Sequence, residues 1–162
     1  IPIFLVENNI LAIQDNWEIY LPVIILSFVG MIPMIIVATK YQKTKTIFLL
    51  SIFLLALSQI LFYQTKLNYA TFFIILTLFF TAFNALEALL PSLIAKTASS
   101  DKRGLAMGFY SSSQFFGAFV GGITGGWIYN TFGLNSVFLF TTFIALIWWL
   151  ISLSMNTKNI KN

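Results

Sequence analysis

Apolar residues in this chain do not recur at a strand-like or amphipathic spacing; they run on in five long blocks separated by short polar stretches. The blocks extend roughly from Ile19 to Thr39, Ile47 to Phe62, Ala70 to Ala95, Leu105 to Tyr129 and Val137 to Met155. A helix needs about 20 mainly apolar residues to cross a bilayer, and blocks of this length meet that need. Membrane strands would alternate over about 10 residues instead. The pattern therefore predicts an all-α membrane protein of about five transmembrane helices, forming a single domain over 1–162.

Each block has its own character. The first carries Pro22, Gly30 and Pro33, tolerated in a membrane because neighbouring helices satisfy the freed backbone groups, and a kink is expected there. The second is Leu, Ile and Phe apart from Ser51, Ser58 and Gln59, which predicts a helix facing lipid on most sides. The third contains Asn84, Glu87 and Pro91; the fourth is rich in glycine and serine; the fifth is bulky and apolar. Ahead of them, the apolar run from Ile1 to Val6 stops at Glu7. It is too short to span, and no basic n-region or cleavage site accompanies it, so it reads as the stub of an upstream helix, the alternative being a frayed surface tail.

Composition agrees. Of 162 residues, 59% are hydrophobic, 17% aromatic and 9% charged, with a mean hydropathy of +0.90, whereas soluble domains are about one quarter charged. There is no histidine and no cysteine, which removes thiol nucleophiles, histidine bases, disulfides and nearly every zinc or copper site. No cofactor and no metal site is expected, and an enzyme is disfavoured. The net charge of +4 points to nucleic acid only if the basic residues form a patch, and they do not. Lys40, Lys43 and Lys45 follow the first block, Lys96, Lys102 and Arg103 the third, and Lys158 and Lys161 the fifth, with Lys66 alone on the other side. Cytoplasmic loops carry the excess of Lys and Arg, so the N-terminal end is expected outside and the C-terminus in the cytoplasm, with the lipid bilayer as the main partner. Glu7, Asp15 and Glu18 then fall outside, with Trp17 and Tyr20 at an aromatic belt.

Glu87 is the acidic residue inside an apolar block. It lies about 13 Å from Lys96 along a helix, deep in the hydrocarbon, where a carboxylate costs a few kcal/mol and is a functional candidate by default. It is the proton-coupling candidate; the plainer alternative is a permanently protonated acid that only fixes helix packing. Asn84 shares its face, and Thr77 and Thr81 continue a polar track that either lines a cavity or bonds neighbouring helices. In the fourth block Gly104 and Gly108, then Gly117, Gly121 and Gly125, fall four apart. Such spacing lets helix backbones approach closely, either as static packing or as a gating interface. Tyr110 and Gln114 point the same way as Gly117 and Gly121 and are further cavity-lining candidates. Asp101 and Arg103 are the charge candidates of the inner loop between the third and fourth blocks.

The stretch from Phe83 to Trp127, with Asn84-Ala85-Leu86-Glu87-Ala88, Leu90-Pro91-Ser92-Leu93, Arg103-Gly104-Leu105-Ala106-Met107-Gly108 and Tyr110-Ser111-Ser112-Ser113-Gln114-Phe115-Phe116-Gly117, resembles the major facilitator superfamily. It is closest to the YajR-type branch of proton-coupled drug efflux permeases. The resemblance implies that the five blocks are the eighth to twelfth helices of a twelve-helix transporter, with Ile1 to Val6 ending the seventh. It further implies alternating access of two halves about a central cavity, with Asn84 and Glu87 near that cavity and the glycines of the fourth block against a partner helix. The expected function is then proton-coupled export of small lipophilic compounds, in a bacterial inner membrane, together with an N-terminal half that this sequence lacks. The family's gating motif after the eighth helix is reduced here to Gly30 and the lysines from Lys40 to Lys45. A non-transporting membrane subunit or scaffold is the competing reading; an enzyme or a channel would need a catalytic constellation or a filter, and neither is visible.

Overall fold

The structure, a computed structural model, describes residues 16–63 and 68–155. The stub at Ile1 to Val6, the charges Glu7, Asp15, Lys66, Lys158 and Lys161, and the flanks around them lie outside the described residues. Five helices account for nearly everything else: α1 (Asn16–Lys40), α2 (Thr44–Tyr63), α3 (Tyr69–Thr97), α4 (Arg103–Phe132) and α5 (Leu134–Leu153). Among the described residues there is no strand, as the continuous apolar runs require.

Four of these helices, α1, α2, α3 and α5, are long and apolar enough to cross a membrane. The fourth, at 30 residues, is long enough, about 45 Å at 1.5 Å per residue, but its glycines and serines dilute its apolar character. The helices begin and end in polar punctuation. Asn68 caps α3, its side-chain oxygen accepting from the Thr71 amide at 2.8 Å, which satisfies one of the donors a helix start leaves open. A single residue, Gly133, separates α4 from α5; its φ of 82° lies in the region that side chains avoid, and its amide donates to the Tyr129 carbonyl at 2.9 Å.

Successive helices run in opposite directions, so one end of the bundle collects Lys40, Lys45, Lys96 and Arg103, hereafter the basic end. There the Lys45 ammonium donates to the Leu153 carbonyl at 2.7 Å, tying the start of α2 to the last turn of α5. The helix α2 packs along α3 and α5, α1 packs along α3, and α4 has slighter attachments to α3 and α5. Two apolar clusters hold the bundle. At the basic end Ala38, Ile47, Phe48, Ile52, Leu86, Leu89 and Leu93 pack together under Trp148 and Trp149. At the other end the cluster is Ile19, Val23, Phe62, Phe72, Ile75, Leu76 and Phe138, with Phe62 stacked on Phe138 at 5.5 Å between ring centroids.

The expectation that α2 faces lipid on most sides is corrected here. Ile47, Phe48, Ser51, Ile52, Ala56, Ser58 and Phe62 are all buried within the bundle, and α2 lies between α3 and α5. In hydrocarbon a Leu gains nothing by leaving the solvent, so apolar character does not tell a lipid-facing surface from a packed one. Small residues do: Ser51, Ala56 and Ser58 mark the packed face.

Candidate functional site

The polar residues of α3 lie between the two apolar clusters and face two different neighbours. Toward α1, the Asn84 amide nitrogen donates to Ser27 Oγ at 2.9 Å; Ser27 is fully buried and donates in turn to the Ile24 carbonyl at 2.7 Å. One turn along α1, Gly30 meets Thr81. A Cβ placed at Gly30 would lie 3.0 Å from Thr81 Cγ2 and 3.1 Å from its Oγ1, so the backbones approach there because glycine has no side chain. Asn84 and Thr81 thus serve the α1–α3 seam.

Toward α4, Glu87 meets Gln114. The Gln114 amide nitrogen lies 2.9 Å from Glu87 Oε1 and 3.1 Å from Oε2, one donor straddling both carboxyl oxygens. Tyr110, one turn before Gln114, is within electrostatic reach of the same carboxyl. Glu87 is half-buried, and it stands four residues before Pro91 inside α3. Proline has no amide hydrogen, so the Glu87 carbonyl lacks the donor that an α-helix supplies from the fourth residue on. The side chain and the backbone of Glu87 are therefore both departures from a uniform apolar helix at the same depth.

Thr77 and Thr81 line a groove of about 320 Å³ with Phe73, Ile74 and Leu78. Their hydroxyls donate to the Phe73 and Thr77 carbonyls at 2.8 and 2.7 Å, so the groove wall is apolar methyl and ring surface with its hydroxyl protons already used. The structure separates the candidates: Thr77 belongs to this groove, Thr81 to both the groove and the α1–α3 seam, Asn84 to that seam, and Glu87, Gln114 and Tyr110 to the α3–α4 contact. The glycines stand apart. At Gly104, Gly108, Gly117, Gly121 and Gly125 no heavy atom lies within 4 Å of where a Cβ would be, and Ile128 alone is counted buried in α4. Among the described residues no close-packing partner meets them. Asp101 and Arg103 are exposed at the basic end. Ser27, which sequence reasoning passed over, and Gly30, which it read only as a kink residue and a remnant of a gating motif, are the ones that receive α3; their signal was a pair of small residues one turn apart among large ones.

The chain matches the sequence model of the Major Facilitator Superfamily over residues 4–159. It is 36% identical over 141 residues to the inner membrane transport protein YajR of Escherichia coli (strain K12), covering 87% of this chain and 31% of that protein. An uncharacterized transporter of Buchnera aphidicola subsp. Acyrthosiphon pisum is 32% identical over 110 residues, 68% of this chain and 28% of its own length. A second, from Buchnera aphidicola subsp. Baizongia pistaciae, is 29% identical over 136 residues, 83% of this chain and 34% of its own. The chain spans about a third of the length of these relatives. With four helices of membrane length and a family match over nearly its whole length, this chain belongs to the Major Facilitator Superfamily.

Proposed function

We propose that this chain is the C-terminal half of a secondary transporter that exports small lipophilic compounds in exchange for protons by alternating access, with Glu87 as the proton-carrying group. The observation that carries the reading is the Glu87 carboxyl, held at membrane depth by the Gln114 amide at 2.9 and 3.1 Å in a chain of a transporter family. A carboxyl at that depth is costly to keep charged and persists where it faces a bundle interior and does work. A single acid in a helix span of a chain that is 17% aromatic suits lipophilic, preferentially cationic, compounds. The other half of the cavity would come from residues preceding Ile1, and the chain would sit in a bacterial inner membrane with its C-terminus in the cytoplasm. A similar protein carries the words "inner membrane transport protein" in its name, which supports that placement.

The test is Glu87→Gln in the full-length transporter, in everted membrane vesicles with ethidium as probe and an imposed pH gradient. Ethidium movement driven by the gradient is expected to fall at least tenfold, with the amount of protein in the membrane unchanged. Undiminished coupling in that variant would end the carrier role. A wild-type protein that moves no lipophilic cation under any gradient would instead favour the competing reading, a membrane subunit or scaffold without transport.

A further inference from the structure

We propose that Gln114 is the positioning residue through which the protonation state of Glu87 reaches α4, so that the Glu87–Gln114 pair is a latch between α3 and α4 that loosens when Glu87 takes up a proton. The proposal rests on Glu87 as the proton carrier and adds the element that responds to it.

The geometry carries it in three steps. First, the Gln114 amide nitrogen straddles both oxygens, at 2.9 and 3.1 Å, an arrangement that needs both to be acceptors. Protonating either oxygen turns one of its acceptor sites into an O–H donor and leaves it a poorer acceptor, so the contact on that side weakens or the amide turns to accept the new proton. The remaining bond is also weaker, since hydrogen bonds to an ionised acceptor are roughly twice as strong as neutral ones. Second, within the described bundle α4 is packed less closely than the other helices, and the Gln114 amide is a side-chain bond that joins it to α3. The helix buries Ile128, it has open space at Gly104, Gly108, Gly117 and Gly121 on either side of Gln114, and it joins α5 through Gly133 alone, at φ 82°. The chain enters α4 from α3 through residues 98–102 and leaves it through Gly133, so a change in the mid-length bond shifts α4 between these two joints. Third, α3 is weakened at the same level, because Pro91 removes the amide that would bond the Glu87 carbonyl.

No other charge among the described residues competes for the role. On α4 the group that faces Glu87 is Tyr110. The helices α1 and α2, which also pack on α3, carry Glu18, Lys40 and Lys45 near their ends, Lys96 lies in the last turn of α3, Arg103 is the first residue of α4, and Lys43, Asp101 and Lys102 lie in the connections at the basic end.

The experiment uses the full-length protein in lipid nanodiscs, with spin labels at Tyr69 on α3 and Ile123 on α4. The label distance is measured in mildly acidic and mildly alkaline buffer, and the carboxyl stretch of Glu87 is followed by infrared difference spectroscopy, assigned by its loss in Glu87→Gln. In the wild type the carboxyl band is expected to grow at acidic pH and the label distance to shift by an amount on the order of 2 Å. In Gln114→Leu the band should still titrate while the distance stays fixed; if that variant does not fold, Gln114→Asn, whose shorter side chain withdraws the amide, carries the same expectation. A distance that still follows pH without the Gln114 amide would overturn the latch and leave the carrier role standing, as would a wild-type distance that ignores pH while the band titrates. A wild-type band that never titrates would instead overturn the carrier reading beneath it.

Discussion

At the scale of single residues, membrane depth makes polar side chains choose partners, and the choices here are of two kinds. Thr77 and Thr81 turn back onto their own helix, which removes their protons from use by any ligand. Asn84 and Glu87 reach across to Ser27 and Gln114. Glu87 was legible in the sequence because a lone acid inside an apolar block is conspicuous; its partner was not, since 27 residues separate Glu87 from Gln114 and no spacing rule links two helices. The same limit hid the meeting of Gly30 with Thr81. Thr81 Oγ1 is fixed by its bond to the Thr77 carbonyl at 2.7 Å, so the Thr81 side chain cannot easily give way to a methyl group. Gly30→Val is therefore expected to destabilise the bundle by about 1–3 kcal/mol, the range for overpacking a filled site. Gly30→Ala combined with Thr81→Ala, which removes the two Thr81 atoms at 3.0 and 3.1 Å and leaves its Cβ at 3.7 Å, should be tolerated. Thermal unfolding in detergent decides it, and equal melting temperatures for wild type and Gly30→Val would show that the two helices do not meet as described.

At the scale of elements, the bundle is held unevenly. The helix α2 is locked by rings: Phe62 is 1% exposed and lies 5.4 Å from Phe72 and 5.5 Å from Phe138, centroid to centroid. Phe115 on α4 is 74% exposed. Phe62→Ala is expected to cost about 3 kcal/mol, the lower end for an emptied aromatic site, because packing rather than escape from water is what is lost in lipid. Phe115→Ala should leave the melting temperature of the described bundle nearly unchanged, and a comparable loss in both would contradict the uneven packing. The turn between α4 and α5 makes a sharper demand. At φ 82° and ψ 174°, a region essentially confined to glycine, a side chain costs roughly 1–3 kcal/mol, so Gly133→Ala is expected to lower stability by about that much and to reorient α4, whereas Gly117→Ala, with open space around it, should not. A melting curve for each variant separates the two.

At the scale of the whole molecule, antiparallel helices gather the basic loops at one end, and the cytoplasmic placement of that end is open to a direct test. In a cysteine-free full-length background, single cysteines at Gln42 and Ser100 should react from outside the cell only with membrane-permeant maleimides, while a cysteine at Tyr69 should react with impermeant ones. The reverse pattern would invert the orientation proposed above. Lys45 bonded to the Leu153 carbonyl fixes the start of α2 and the last turn of α5 to one side, so these labels report on the bundle as a unit.

What the sequence alone determined was whatever is local and additive: that the chain is helical, that it has membrane-length apolar segments, which ends carry the basic loops, and that Glu87 is the acid at depth. These follow from counting, because the cost of placing a residue in hydrocarbon depends on that residue and its depth. The tertiary structure decided which faces meet. It put α2 inside the bundle although its composition suited lipid, gave Asn84 to Ser27 and Glu87 to Gln114, and left the glycines of α4 without a neighbour among the described residues. The reason is physical: in a membrane apolar side chains are equally content against lipid or protein, so packing shape and a few cross-helix hydrogen bonds choose the partners, and neither is written along a single helix.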